Sequence, residues 1–146
     1  QNNGLDLSMV GDASTDFVFS FDSLVHVDLP TMKSYLSEIN RVLKSGGVAF
    51  IHHSNLADCE KHEGLQEHVR ANDVSHQDVK EYSDSIGLSC VIQELVNWRN
   101  PEQFLIDCFS TFVKDGSWKL PEYKLFRNNK FMEQAQQIKT LSSYYQ

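Results

Sequence analysis

A strand–helix–strand segment between residues 16 and 55 is the feature that most constrains the fold of this chain. It begins with an apolar and aromatic run, Asp16–Phe21, typical of a strand buried on both faces of a parallel sheet. Asp28 and Pro30 are typical of a helix start. Apolar side chains then recur at helical spacing: Met32, Tyr35, Leu36, Ile39, Val42 and Leu43. Because a second apolar run, Val48–Ile51, follows, the segment predicts a parallel crossover and an α/β fold.

Polar side chains follow both strands of this crossover. The helix is expected to end at Lys44–Gly47, since a cation suits its negative end and glycine turns left-handed at little cost. One polar cluster spans Ser20 to His26 and the other spans His52 to Asn55. Ligands of open parallel sheets bind beyond the carboxyl ends of the strands. The two clusters therefore predict one site at that edge of the sheet.

The same residues resemble a known protein family. The runs 16–26, 35–47 and 50–55 look like the fourth strand, the next helix and the fifth strand of a class I S-adenosylmethionine-dependent methyltransferase. The sequences of Phe19–His26 and Ile51–Asn55 are similar to those of a bacterial subgroup associated with sugar and surface-polysaccharide modification. The resemblance implies the C-terminal half of a Rossmann-like methyltransferase sheet, with parallel strands, a terminal antiparallel hairpin and flanking helices.

The sequence lacks the glycine-rich loop that holds most of the cofactor in the resembled family. Its seven glycines never take the G-x-G-x-x-G spacing, and no preceding strand and crossover places an acidic residue against a ribose. We therefore expect residues 1–146 to be a single partial domain without the N-terminal, cofactor-binding half. Such a fragment is expected to be inactive alone and to bind S-adenosylmethionine at or below detection.

The second half of the chain predicts the remaining elements. Ser75 and Asp78 resemble a capping box for a helix that Gly87 ends. Two β-rich runs, 88–98 and 103–113, predict an antiparallel hairpin. An apolar stripe over residues 131–141 predicts a final helix.

Charge and composition narrow the class of partner. A net charge of −7 argues against nucleic acid, because phosphate binding needs clustered Lys and Arg. No apolar run approaches the ~20 residues that span a bilayer, so no membrane partner is expected. Three cysteines do not form a secreted disulfide framework. The composition is typical of a soluble intracellular protein, and the resemblance implies a cytoplasmic bacterial enzyme.

Histidines near the strand ends are the candidate catalytic groups. Methyl transfer from a sulfonium needs alignment, exclusion of water and, for a hydroxyl acceptor, removal of a proton. Histidine suits proton removal because its ordinary pKa lies near neutrality. We predict His26 and His53 as catalytic, although His26 could instead pack against the neighbouring loop. Of the adjacent pair His52 and His53, one is expected to face inward, since neighbouring side chains of a strand point oppositely. His52, Asn55 and Arg70 are predicted substrate contacts.

The resemblance also implies the cofactor contacts. Ser20 and Phe21 occupy the strand end whose backbone lines the methionine part of S-adenosylmethionine in the family. Asp22 is assigned to the cofactor's amino group or to substrate, with a backbone hydrogen bond as the alternative. Asn3 is assigned to the adenine side, with an ordinary Asn-Gly turn as the alternative. No metal site is predicted, because none of the clustered histidines has zinc-ligand spacing: His52, His53, His62, His68 and His76.

Two hypotheses of function follow. In the first, the complete protein methylates an oxygen or nitrogen of a small, sugar-like acceptor. In the second, the chain is a non-catalytic assembly or binding module with a methyltransferase fold. In either case, an unpaired strand at Phe17–Phe21 is expected to cause self-association, with a homodimer as the simplest product.

Overall fold

The computed structural model describes residues 6–59, 69–116 and 119–142. Five strands are present in this part of the chain: β1 (Thr15–Ser20), β2 (Leu43–Ser54), β3 (Leu88–Val96), β4 (Asp107–Lys114) and β5 (Lys124–Asn128). The helices are α1 (Leu29–Val42), α2 (His76–Ser85) and α3 (Phe131–Ser142), with short 3-10 turns at Leu24–His26 and Leu56–Asp58.

The strands form one mixed sheet in the order β1-β2-β4-β3-β5. The β1–β2 and β3–β5 pairs are parallel, whereas β4 is antiparallel to both β2 and β3. The parallel crossover and the antiparallel hairpin that the sequence predicts are therefore both present. Helices flank the sheet, so the predicted α/β class is confirmed.

Helix α1 forms for the reasons that its sequence indicates. The Asp28 side chain accepts a hydrogen bond from the Thr31 N–H at 3.0 Å, and Pro30 lies in the first turn. The helix ends at Val42, so the prediction that Lys44–Gly47 ends it was wrong by a few residues. Leu43 is already extended, and the Lys44 ammonium binds the Asp16 carboxylate at 2.8 Å.

The core lies between the sheet and the first two helices. Residues of α1, α2 and the strands share one buried cluster, which includes Met32, Leu36, Ile39, Ala49, Ile51, Val79, Leu88 and Phe112. Helix α2 begins as predicted, because the Ser75 hydroxyl accepts the Asp78 N–H at 3.1 Å. Both helices thus pack on the sheet face that carries Ala49 and Ile51, and we call this the helical face.

Strand β1 is exposed on the sheet face opposite the helices, and this corrects the expectation that it is buried on both faces. The sequence predicts a strand buried on both faces, yet Phe17 is 56% and Phe19 is 63% exposed. These side chains lie beside Val48 and Phe50 of β2, on the face away from α1 and α2. Within the described residues, β1 is hydrogen-bonded to a strand on one side only, because it is the sheet edge.

Helix α3 buries none of its residues in the described structure, and Ile138 and Leu141 are largely exposed. None of the helices in the described part of the chain is both long and apolar enough to span a bilayer.

Candidate functional site

The two predicted polar clusters meet at the carboxyl ends of β1 and β2. The backbone N–H of Asp22, after β1, donates to Nδ1 of His52, near the end of β2, at 3.1 Å. This contact arises because parallel strands end at the same edge of a sheet. The structure therefore brings together the loop 21–26 and the end of β2, as the sequence indicates.

His52 is a buried connector rather than an open ligand. Because the Asp22 N–H can only donate, Nδ1 of His52 must accept, and the ring proton lies on Nε2. Nε2 then donates to Asp107 Oδ2 at 2.9 Å. The ring is fully buried and packs at centroid distances of 4.7–5.0 Å against Phe21, Trp98 and Phe109. Both ring nitrogens are occupied, so the geometry leaves His52 no atom for a substrate.

A buried ion network joins the site to the first residue of β4. Arg70 contacts both oxygens of Asp107, through Nε at 3.1 Å and Nη2 at 2.9 Å. Nη2 also contacts Asp22 Oδ1 at 3.1 Å. Arg70 and Asp107 are almost completely buried, whereas the Asp22 side chain is 46% exposed. One guanidinium thus holds two carboxylates, and only the Asp22 carboxylate reaches the surface.

Asp107 is the residue that sequence reasoning missed. It lies within the run 103–113, which is otherwise read as a plain hairpin strand. The one available signal was an acidic residue just before a run of apolar and small side chains, where a buried carboxylate needs a partner. Its partners, Arg70 and His52, are 37 and 55 residues away in sequence, so the pairing could not be read locally.

His26 is exposed, and it is anchored by one ring nitrogen. Nδ1 donates to the carbonyl of Val69 at 2.8 Å. The neutral ring therefore carries its lone pair on Nε2, and Nε2 has no partner among the described residues. Packing against a neighbouring loop and a role as a base, the two alternatives for His26, are compatible in this geometry.

Two non-glycine residues with positive φ border this site. Asp22 has φ of 52° and Val69 has φ of 58°. A β-branched residue such as Val69 rarely adopts this conformation, and such residues concentrate at functional sites. The surrounding contacts hold them there, because Arg70 binds Asp22 and the Ala71 N–H donates to the Val25 carbonyl at 3.1 Å.

His53 lies on the helical face, away from His26 and Asp22. It is fully buried, Nδ1 donates to the Ser54 carbonyl at 2.7 Å, and Nε2 lies 2.7 Å from the Ser110 hydroxyl. Burial lowers the pKa of His53 from 6.5 to about 4. A weakly basic ring with both nitrogens bonded is poorly suited to the catalytic role that the sequence suggests.

Asn55 is likewise engaged by the protein itself. Its Oδ1 accepts the His76 N–H at 2.8 Å, and its Nδ2 donates to the Leu105 carbonyl at 2.9 Å. The residue is 2% exposed. Asn55 therefore ties α2 to the loop before β4, and a substrate contact is not favoured by its geometry.

The candidate cofactor residues fit part of S-adenosylmethionine. Ser20 ends β1, Phe21 is 44% exposed, and the Asp22 carboxylate is open to an ammonium group. Asn3 lies outside the described residues. Among the residues that the structure describes, no three metal-ligating side chains converge.

One protein-family model matches the first third of the chain. Residues 1–51 match the family model described as "Methyltransferase domain". The match covers β1, α1 and most of β2. No curated protein matches the chain.

Solved structures resemble the chain over more of its length. A candidate sarcosine dimethylglycine methyltransferase from Galdieria sulphuraria matches with a TM-score of 0.57 and 17% identity, over 78% of this chain and 58% of its own. An S-adenosylmethionine-dependent methyltransferase from Methanosarcina mazei matches with a TM-score of 0.58 and 15% identity, over 80% and 66%. The fold is that of the Rossmann-like methyltransferases.

The fold does not by itself define a reaction. The cyclase SpnF matches with a TM-score of 0.58 and 15% identity, over 80% of this chain and 55% of its own. An enzyme named for cyclisation thus shares the architecture, so activity has to be argued from the site. This chain spans a little over half to two thirds of the length of the three structures.

Proposed function

We propose that this chain is the C-terminal half of an S-adenosylmethionine-dependent methyltransferase domain that methylates an oxygen or nitrogen of a small, sugar-like acceptor. The match of residues 1–51 and the methyltransferase fold support the reaction class. The observation that carries the proposal is His26, an exposed imidazole anchored through Nδ1 with Nε2 open. It follows β1 at the sheet edge where ligands of such folds bind.

Each residue of the site would have its own role in methyl transfer. S-adenosylmethionine, when bound, supplies the methyl group on a sulfonium. His26 Nε2 would accept the proton of the acceptor hydroxyl or amine as the new bond to the methyl carbon forms. Asp22 would hold an ammonium group, and Arg70 fixes its carboxylate from the buried side. Asp107 and His52 hold Arg70 and the loop in place.

The cofactor-binding half is proposed to come from residues outside these 146. The absence of a G-x-G-x-x-G loop supports this, as does the coverage of just over half of a similar methyltransferase. We expect titration calorimetry of the 146-residue chain with S-adenosylmethionine to show no measurable heat of binding. Clear saturable binding would contradict the division into two halves.

The activity is tested on protein expressed from its complete coding sequence. Labelled S-adenosylmethionine is incubated with a panel of sugars, polyols and amines, and transfer is counted. His26→Gln keeps a donor for the Val69 carbonyl but removes the basic nitrogen, so kcat should fall roughly 10²–10⁴-fold. Lys33→Gln, on α1 and away from the loop, is the control and should keep the wild-type rate. A fully active His26→Gln variant would refute the role of His26, and transfer to no acceptor would favour the binding-module alternative.

We also propose that the chain binds a second copy of itself through β1. This sheet edge has strongly exposed aromatic side chains at Phe17 and Phe19 next to a row of backbone groups that no described strand pairs. Light scattering should give a dimer mass at high micromolar concentration, and Phe19→Lys should give a monomer. Phe126→Lys, a matched change at a 50% exposed residue of β5, should leave the dimer intact. A monomeric wild type would remove the proposal.

A further inference from the structure

A separate cleft lies at the same edge of the sheet, but on the helical face. It has a volume of about 400 Å³, which is within the range of small-molecule sites. Leu95 and Arg127, paired across β3 and β5, line it, and Leu95 shares its face with Cys108 and His53. His52 and Phe109 lie on the other face. The cleft is therefore distinct from the His26–Asp22 site.

His76 is a buried polar residue of the cleft, and the orientation of its ring is fixed. Its Nδ1 contacts Asp58 Oδ2 at 2.5 Å and Asn55 Oδ1 at 3.1 Å. Both partners accept, so the ring proton lies on Nδ1 and the neutral ring presents its lone pair on Nε2. The side chain is only 8% exposed, and Nε2 has no partner among residues 6–59, 69–116 and 119–142. Nε2 can therefore accept a hydrogen bond from a ligand or from water.

Arg127 supplies the charge of the cleft. It is the one Lys or Arg among the described lining residues, it is exposed, and no described residue pairs with its guanidinium. The one acidic lining residue, Asp58, already contacts His76. Gln77 and Gln103 add amide groups that have no described partner, above an apolar floor of Leu95 and Phe104.

The Cys59 thiol does not make this cleft a nucleophilic site. Its Sγ lies 3.5 Å from the Leu105 carbonyl, and burial raises its pKa to about 11. The thiol therefore remains protonated near neutral pH, and thiolate chemistry is not expected. The cleft has the groups of a binding site: one cation, one oriented acceptor and two amides.

We propose that this cleft binds a small hydroxylated anion, with its carboxylate or phosphate against Arg127 and a hydroxyl donating to His76 Nε2. Arg binds both anions well, because its planar guanidinium forms paired hydrogen bonds with two oxygens. The Asp58 and Asn55 contacts hold the imidazole ready, so little ordering is needed on binding. The inference does not rest on methyl transfer, since no residue of the His26–Asp22 site takes part.

The test is an NMR titration of the 146-residue chain with sodium glycerate, sodium propionate, glycerol 3-phosphate and glycerol. Saturable shifts of the His76 ring and the Arg127 side chain are expected with glycerate or glycerol 3-phosphate, and the tighter of the two identifies the anionic group. Glycerol should produce no saturable shift. Propionate, which has no hydroxyl, should bind more weakly than glycerate.

Two variants separate the contacts. Arg127→Gln should weaken anion binding by roughly tenfold or more, because a charge-assisted pair is lost. Lys124→Gln removes the same charge from the same strand on the opposite face and should have no effect. His76→Phe should remove the preference for glycerate over propionate. Absence of saturable shifts with both hydroxylated anions would overturn the proposal, as would equal losses in the Arg127 and Lys124 variants.

Discussion

The buried His53 should make the stability of this chain fall as the pH falls from about 6.5 to 4. In the folded chain, burial lowers the pKa of His53 to about 4, and the hydrogen bond to the Ser54 carbonyl and the Asp107 carboxylate only partly oppose this effect. In the unfolded chain the imidazole titrates near its ordinary 6.5. Between these two values the unfolded state binds one more proton than the folded state, so lowering the pH favours unfolding.

The magnitude follows from the two pKa values. Each pH unit within the window costs about 1.4 kcal/mol, so the full window corresponds to about 3 kcal/mol. Between pH 7 and pH 5 the loss is about 2 kcal/mol. With an m-value of roughly 1–3 kcal/mol per molar urea, the urea midpoint should fall by about 1 M from this group alone.

Other groups also titrate in this range, so the assay uses a difference between variants. His53→Gln can still donate to the Ser54 carbonyl and accept from the Ser110 hydroxyl, but it cannot be protonated. Urea unfolding of wild type and His53→Gln at pH 7 and pH 5 should show that the wild type loses about 2 kcal/mol more than the variant. Lys33→Gln, which leaves His53 and its partners unchanged, is the control and should track the wild type. Equal pH dependence of wild type and His53→Gln would refute the reasoning.

Two further predictions concern the network and the core. Asp107→Asn should destabilise the chain by about 3 kcal/mol in urea unfolding, because it leaves the buried Arg70 without its main partner. The control Asp12→Asn, at a 78% exposed side chain, should change the stability by less than about 1 kcal/mol. An Asp107→Asn loss as small as that of Asp12→Asn would show that the network is solvated. Met32→Ala should cost about 3 kcal/mol, because Met32 is fully buried, while Met9→Ala at 58% exposure should stay within about 0.5 kcal/mol. Similar losses at the two methionines would mean that α1 does not pack on the sheet as described.

The local sequence was sufficient to predict the elements that are stabilised by contacts between residues close together in the chain. The local sequence predicts the Asp28 cap, the apolar stripe of α1 and the Ser75 cap of α2. All three are present in the structure. The exact end of α1 could not be read in this way. Lys44 binds Asp16, 28 residues earlier, instead of lying at the C-terminal end of the helix.

The candidate site could be located from the sequence, although the state of each side chain could not. Strand polarity was enough to bring Asp22 and His52 to one edge. Whether each of two adjacent histidines is open or buried depends on what packs on its sheet face. Aromatic side chains pack on the His52 ring, whereas His53 lies on the face that α1 and α2 cover. The exposure of Phe17 and Phe19 has the same origin, because the face that they share is not covered by α1 or α2.

The most direct measurement of the central claim is imidazole rescue of methyl transfer. In protein expressed from its complete coding sequence, His26→Ala should lose most of its kcat, because no other residue of the loop 21–26 has a basic nitrogen in its side chain. Added imidazole should restore transfer in this variant in a saturable way and leave the wild type unchanged. A His26→Ala protein that transfers methyl groups at the wild-type rate without imidazole would contradict the account.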